Sequence, residues 1–214
     1  MGANESIFLP QQICFPNLIV VPWQVPEDGE SLASYCARVA KDVDPGCPCI
    51  VGGASFGGIV ALEMASQLDA RGCILIGSVR SPAEIPKRIR ALKILAPILN
   101  FLPFGALKFL AKLAIPALRW FQAKHIAGLA AQFGASDSRV LRWSIEQVFR
   151  WNSETFEVPI RQIHGQNDFV FPVSRLEPDT SIEGGGHVIS LTHPRQVNAF
   201  IRESLSLFQS QPEA

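Results

Sequence analysis

Apolar residues recur along the chain in two rhythms. The segments Pro159–Ile163 and, shorter, Thr180–Ile182 read as later strands, and short unbroken runs stand at Asn17–Val21 (NLIVV, between Pro16 and Pro22), Cys49–Val51 and Cys73–Ile76. Runs this short, apolar at consecutive positions, predict strands buried on both faces. Between them the period lengthens. Leu32, Tyr35, Cys36, Val39 and Val43 fall at helical spacing within Ser31–Val43, and Ile59–Leu68 is apolar nearly throughout. Val197, Phe200, Ile201, Leu205 and Phe208 share one face of a last helix that opens at Pro194, a position where the missing proline N–H costs no intrahelical bond. Gly52-Gly53 and Gly77-Ser78 are expected to end their strands.

Strand alternating with helix, with the strands apolar throughout, predicts an α/β fold: a mostly parallel sheet with helices on both faces. The alternation stops at Val79. From there to Glu157 the chain holds apolar helical segments punctuated by Pro82, Pro86, Pro97, Pro103 and Pro116, with no convincing strand. The organisation expected is a core of residues 1–78 and 158–214, interrupted by a helical insertion over 79–157.

Composition narrows the function classes. The 214 residues are 48% hydrophobic, and 19 basic side chains balance 19 acidic ones, so no nucleic-acid footprint is expected. The N-terminus lacks a positively charged lead and does not read as a signal peptide. The longest charge-free apolar window, Ile94–Leu107, is broken by Pro97 and Pro103 and falls short of the ~20 residues a spanning helix needs. Five cysteines (Cys14, Cys36, Cys47, Cys49, Cys73) read as reduced, mostly buried thiols of a cytoplasmic protein. Cys47-Pro48-Cys49 has no second Cys/His pair at zinc spacing, so no metal is expected.

Gly53-Ala54-Ser55-Phe56-Gly57 matches G-x-S-x-G between a predicted strand and a predicted helix, the context that gives the motif meaning. A sharp turn there lifts the Ser55 hydroxyl above the sheet edge, glycines two residues to either side avoid a clash, and Gly58 extends the clearance. The Phe56 N–H, at the head of the helix, is free to donate to an oxyanion. A serine needs a base. Of His125, His164, His187 and His193, His187 follows Gly184-Gly185-Gly186 directly after the last predicted strand and is the candidate base. His164 is expected to cap a turn, and His193 the following helix. The base in turn needs a carboxylate. Asp168, in His164-Gly165-Gln166-Asn167-Asp168 after the Pro159–Ile163 strand, is the candidate, whereas Glu177, Asp179 and Glu183 read as solvated.

These motifs (GASFGG, HGQND and GGGH, in that order) resemble those of the α/β-hydrolase superfamily, in particular its lidded, esterase-like members. The resemblance covers nearly the whole chain, with 79–157 in the place of the helical lid. It implies a nucleophile, acid and base at Ser55, Asp168 and His187, and no cofactor. Serine as nucleophile sets the chain apart from the family's dehalogenases and epoxide hydrolases, which use aspartate. Relatives also have strands ahead of the one resembling Asn17–Val21. One of these lies between that strand and the strand leading to Ser55, and it ends in a loop that supplies the second oxyanion donor. Here Met1-Gly2-Ala3-Asn4 looks like the tail of that loop without its strand. The resemblance therefore implies a sheet lacking its N-terminal strands, with Gly2, Ala3 or Asn4 as the second donor.

The activity expected is cleavage of an ester or thioester with an apolar acyl group through an acyl-Ser55 intermediate. The alternatives are acyl transfer on the same residues, or a catalytically impaired binding protein. The apolar run Ile94–Leu118 suggests an acyl-binding cleft for a small-molecule substrate. Lys87, Arg88, Arg90, Lys93, Lys108, Lys112 and Arg119 around it are compatible with weak membrane-surface contact.

Overall fold

The computed structural model describes residues 5–91, 137–153 and 155–210. Within them, four strands build one sheet: β1 (Cys49–Ala54), β2 (Ala70–Ile76), β3 (Ile160–Gly165) and β4 (Thr180–Ile182), in the order β1-β2-β3-β4, every neighbouring pair parallel. Seven α-helices accompany it: α1 (Leu9–Cys14), α2 (Leu32–Val43), α3 (Phe56–Ala65), α4 (Lys87–Ala91), α5 (Ser138–Arg150), α6 (Ile189–Thr192) and α7 (Pro194–Gln209).

The two-residue period of β2 shows why its run is apolar throughout. Cys73 and Leu75 enter a core with Tyr35, Cys36 and Val39 of α2, Ile59 and Leu62 of α3, and Trp143 of α5. Ile74 and Ile76 enter a second core with Ile163, Ile182, Ile189 of α6, and Val197, Phe200 and Phe208 of α7. Both faces are thus covered, as the predicted pattern requires. α3 is buried at Phe56, Ile59–Leu62 and Met64, the condition of a helix apolar on all sides. Ser31 caps α2, its hydroxyl accepting the Ser34 N–H at 3.1 Å. Asp137 caps α5 by accepting from Arg139 and Val140 N–H.

Several expectations need correction. Asn17–Val21 forms no strand: the segment is unpaired among the described residues and Ile19 is 80% exposed. An apolar run becomes a strand only where a neighbour supplies the ladder. None among the described residues does so here, and Pro16 and Pro22 bracket the run. β1 stands at the edge of the sheet instead. Gly52 and Gly53 do not end β1 but continue it, paired with Ile74 and Leu75. Gly52 lies so close to β2 that an added Cβ would stand 2.8 Å from the Ile74 carbonyl oxygen. Cys47 is exposed, unlike the buried Cys36 and Cys73.

The N-terminal segment holds a helix that periodicity does not reveal. α1 is docked by the buried Gln11, whose Nε2 donates to the Ser190 carbonyl at 3.2 Å and to Asn198 Oδ1 at 2.9 Å. The described residues of 79–157 hold α4, α5 and a 3-10 turn at Pro82–Glu84, with irregular chain around them. Residues 92–136, with most of the expected lid, its apolar run and His125, lie outside the described residues. No helix among the described residues is long and apolar enough to cross a membrane.

Candidate functional site

The C-terminal ends of β1, β3 and β4 deliver three side chains to one place. β1 runs into Ser55, which has φ 55° and ψ −127° and is the only non-glycine residue at positive φ among those described. Such a conformation costs about 1–3 kcal/mol and persists only where its surroundings over-determine it. They do so here. The Ser55 N–H donates to the Ile76 carbonyl at 3.1 Å. The Ser55 carbonyl accepts from the Gly58 N–H at 3.0 Å and from the Ser78 hydroxyl at 2.6 Å. Gln162, fully buried, holds Ser78 in turn by donating to its carbonyl at 2.7 Å.

Two glycines make the turn sterically feasible, and they are not quite the expected pair. A Cβ on Gly53 would lie 2.1 Å from the Gly57 carbonyl oxygen, and one on Gly58 would lie 2.4 Å from Ser78 Oγ. At Gly57, however, a Cβ would meet only a Trp23 ring atom at 3.9 Å, so the expected crowding is absent there.

His187 sits on the glycine loop between β4 and α6. That loop is stapled to the one carrying Asp168: the Asn167 N–H donates to the Gly185 carbonyl at 2.7 Å, and the Gln166 N–H to the Ile182 carbonyl at 3.0 Å. Close passage of the loop requires glycine at the ends of β2 and β3. A Cβ on Gly165 would stand 2.3 Å from the Gly186 carbonyl oxygen. One on Gly77, at φ +55°, would stand 2.9 Å from that of His187.

The outcome is a continuous hydrogen-bonded row. Ser55 Oγ lies 2.8 Å from His187 Nε2, and His187 Nδ1 lies 2.7 Å from Asp168 Oδ2. The Asp168 side chain is fully buried and that of His187 is 7% exposed. Burial pushes the Asp168 carboxyl up, but hydrogen bonds from His164 and His187 outweigh it and hold the group well below the usual carboxylate range. An ionised Oδ2 can only accept, so His187 Nδ1 carries the ring proton and the Nε2 lone pair faces Ser55. The arrangement can take a proton from the hydroxyl as it attacks an electrophile.

The Phe56 N–H opens α3, where the first N–H groups have no intrahelical acceptor. The Phe56 side chain is buried, stacked on Trp23 at 5.7 Å and edge-on to Trp143 at 5.7 Å. Gly2, Ala3 and Asn4 lie outside the described residues. His164 bonds the Phe171 carbonyl at 2.8 Å, the turn-capping role expected of it, but also approaches Asp168. His193 occupies the start of α7 without capping it, and its ring pairs with Thr192 Oγ1 at 2.8 Å. Asp179 is exposed but not idle, pairing with Arg80 at 2.5 Å. Gly77 and Ser78 were expected only as the end of a strand and Gly165 only as part of the acid loop; their support of the site was not anticipated. The available signal was a glycine or polar residue directly after an apolar strand.

The family model described as the alpha/beta hydrolase family matches residues 21–200. No curated protein sequence matches the chain. Among solved structures, a thermophilic esterase from Thermogutta terrifontis is similar with a TM-score of 0.68 at 17% identity, over 97% of this chain and 87% of its own. The enol-lactonase from Burkholderia xenovorans LB400 gives 0.66 at 12% identity, over 96% and 88%. The epoxide hydrolase from Bacillus megaterium gives 0.65 at 12% identity, over 95% and 89%. These likenesses bear on the fold alone, but the family match takes in most of the chain together with the elbow, the acid loop and the glycine loop, and the chain belongs to the alpha/beta hydrolase family.

Proposed function

We propose that this protein is a serine hydrolase that cleaves an ester or thioester of a carboxylic acid through an acyl-Ser55 intermediate. The observation that carries this reading is the Ser55–His187–Asp168 row, with contacts of 2.8 and 2.7 Å. Ser55 Oγ attacks the acyl carbon while His187 Nε2 takes its proton, and the carbonyl electron pair moves onto oxygen. The Phe56 N–H meets that oxyanion. Asp168 keeps the proton on Nδ1 and balances the imidazolium. Collapse returns the pair, expels the alcohol or thiol, and His187 Nε2 protonates the leaving group. Water then repeats the sequence on the acyl-serine, releasing the acid and restoring Ser55.

The apolar stretch Ile94–Leu118 favours an apolar acyl group on a small-molecule substrate. Solved relatives named as an esterase and an enol-lactonase agree with acyl chemistry.

The test is turnover of p-nitrophenyl esters and acyl thioesters from acetyl to decanoyl. A stoichiometric burst of nitrophenol and a kcat/KM that rises with chain length are expected. Absence of turnover with every ester and thioester would overturn the assignment.

A further inference from the structure

Four N–H groups surround the Asp168 carboxylate. Oδ1 accepts from the backbone N–H of Val170 at 2.8 Å and of Phe171 at 3.1 Å, while Oδ2 lies 2.7 Å from His187 Nδ1 and 2.9 Å from His164 Nε2. A carboxylate offers about four lone-pair positions; Val170, Phe171 and His187 hydrogen-bond to three of them, and His164 Nε2, whose hydrogen bond runs to the Phe171 carbonyl, stands at ion-pair distance from Oδ2. Only one of the four donors belongs to the proposed reaction.

His164 is fully buried at the end of β3. Its Nε2 stands between two acceptors, Asp168 Oδ2 at 2.9 Å and the Phe171 carbonyl at 2.8 Å. Neither can donate, so Nε2 bears the hydrogen. Nδ1 is buried and has no hydrogen-bond partner among the described residues. No acceptor there receives a second N–H, and the ring is therefore the Nε2–H tautomer. A closed circuit results. Phe171 donates its N–H to Oδ1 and accepts at its carbonyl from His164, which also reaches Oδ2. The Phe171 ring then packs edge-on against the His187 ring at 5.7 Å.

We propose that His164 is a positioning residue of the hydrolytic site. Its Nε2–H, shared between the Phe171 carbonyl and Oδ2, holds the Phe171 turn against the carboxylate and sets its rotation so that Oδ2 faces His187, which holds the imidazole toward Ser55. This inference rests on the function proposed above. The backbone donors alone grip only Oδ1, and without His164 the plane of the carboxylate is set by His187 itself, the group it has to orient.

Two experiments test it. Long-range proton–nitrogen NMR of the wild-type imidazoles is expected to show His164 protonated at Nε2 and bare at Nδ1, and a proton on Nδ1 instead would overturn the proposal. Kinetics of His164→Phe and His164→Gln supply the second test, with rates expressed per site titrated by a fluorophosphonate. His164→Phe keeps a ring without a donor and should lower kcat roughly 10–100-fold with KM little changed. His164→Gln, whose amide nitrogen reaches the Nε2 position, should recover most of that loss. A purely structural role would reduce the titratable fraction and leave kcat per site alone. Wild-type kcat in His164→Phe, or a glutamine variant no better than phenylalanine, would refute positioning. Wild-type protein that neither labels nor turns over esters would instead remove the hydrolase reading. The NMR result stands on its own where His164→Phe does not fold.

Discussion

Ser55→Ala is expected to lower kcat on an acyl ester by about 10⁶-fold, the scale seen when a hydrolase of this type loses its nucleophile. The change removes one oxygen, and with it the 2.8 Å contact to His187. It leaves the turn intact, because the bonds that hold Ser55 in its strained conformation run through its backbone N–H and carbonyl, to Ile76, Gly58 and Ser78. Alanine must still adopt φ 55°, so no strain is released. Melting temperature should stay within a few degrees of wild type while activity falls to background. Steady-state kinetics with circular dichroism on the same preparation make the comparison, and retained turnover would place the nucleophile elsewhere.

Asp168→Asn is expected to cost about 10⁴-fold in kcat, and here it should also destabilise the protein. An amide presents one acceptor oxygen and one donor nitrogen. If the oxygen keeps the Val170 and Phe171 N–H groups, the amide N–H₂ confronts His187 and His164, both of which are donors toward that position. His187 then moves its proton to Nε2 and loses the lone pair aimed at Ser55. The reversed amide leaves the backbone donors opposed instead.

The pH dependence follows from the depressed carboxyl of Asp168. A group held below its ordinary value stabilises the fold above that value, near 3.9 for an aspartate, and loses the contribution as pH falls through its folded-state pKa. Wild type should therefore exceed Asp168→Asn in urea midpoint at neutral pH, with the gap narrowing on acidification below the ordinary carboxylate range. A gap independent of pH would mean that the carboxylate is not ionised in the native state.

Much of this site was legible in the sequence because its signals are local. Gly53–Gly58 announces a strand-to-helix turn, His164–Asp168 runs from the end of β3 into its loop, and Gly184–His187 stands just after β4. β2, β3, β4 and α7 were legible for the same reason, since burial on known faces leaves a period in the chain. What was not legible depends on partners distant in sequence. Asn17–Val21 has the composition of a strand, but composition does not reveal that no strand among the described residues pairs with it. Gln11, polar at position 11, gives no hint of its burial against Ser190 and Asn198. Ser78 supports the elbow from 23 residues away. Gly57, second glycine of the motif, has room for a side chain, whereas Gly58 does not. The motif marks the turn, but its steric logic is visible only with β2 in place.

A fluorophosphonate needs only an activated serine, whatever the natural substrate, and so interrogates the row most directly. Peptide mass spectrometry after brief exposure should find one adduct, on Ser55, in wild-type protein, and little or none in His187→Ala. An unmodified Ser55 in the wild type, or labelling of His187→Ala at the wild-type rate, would contradict the account.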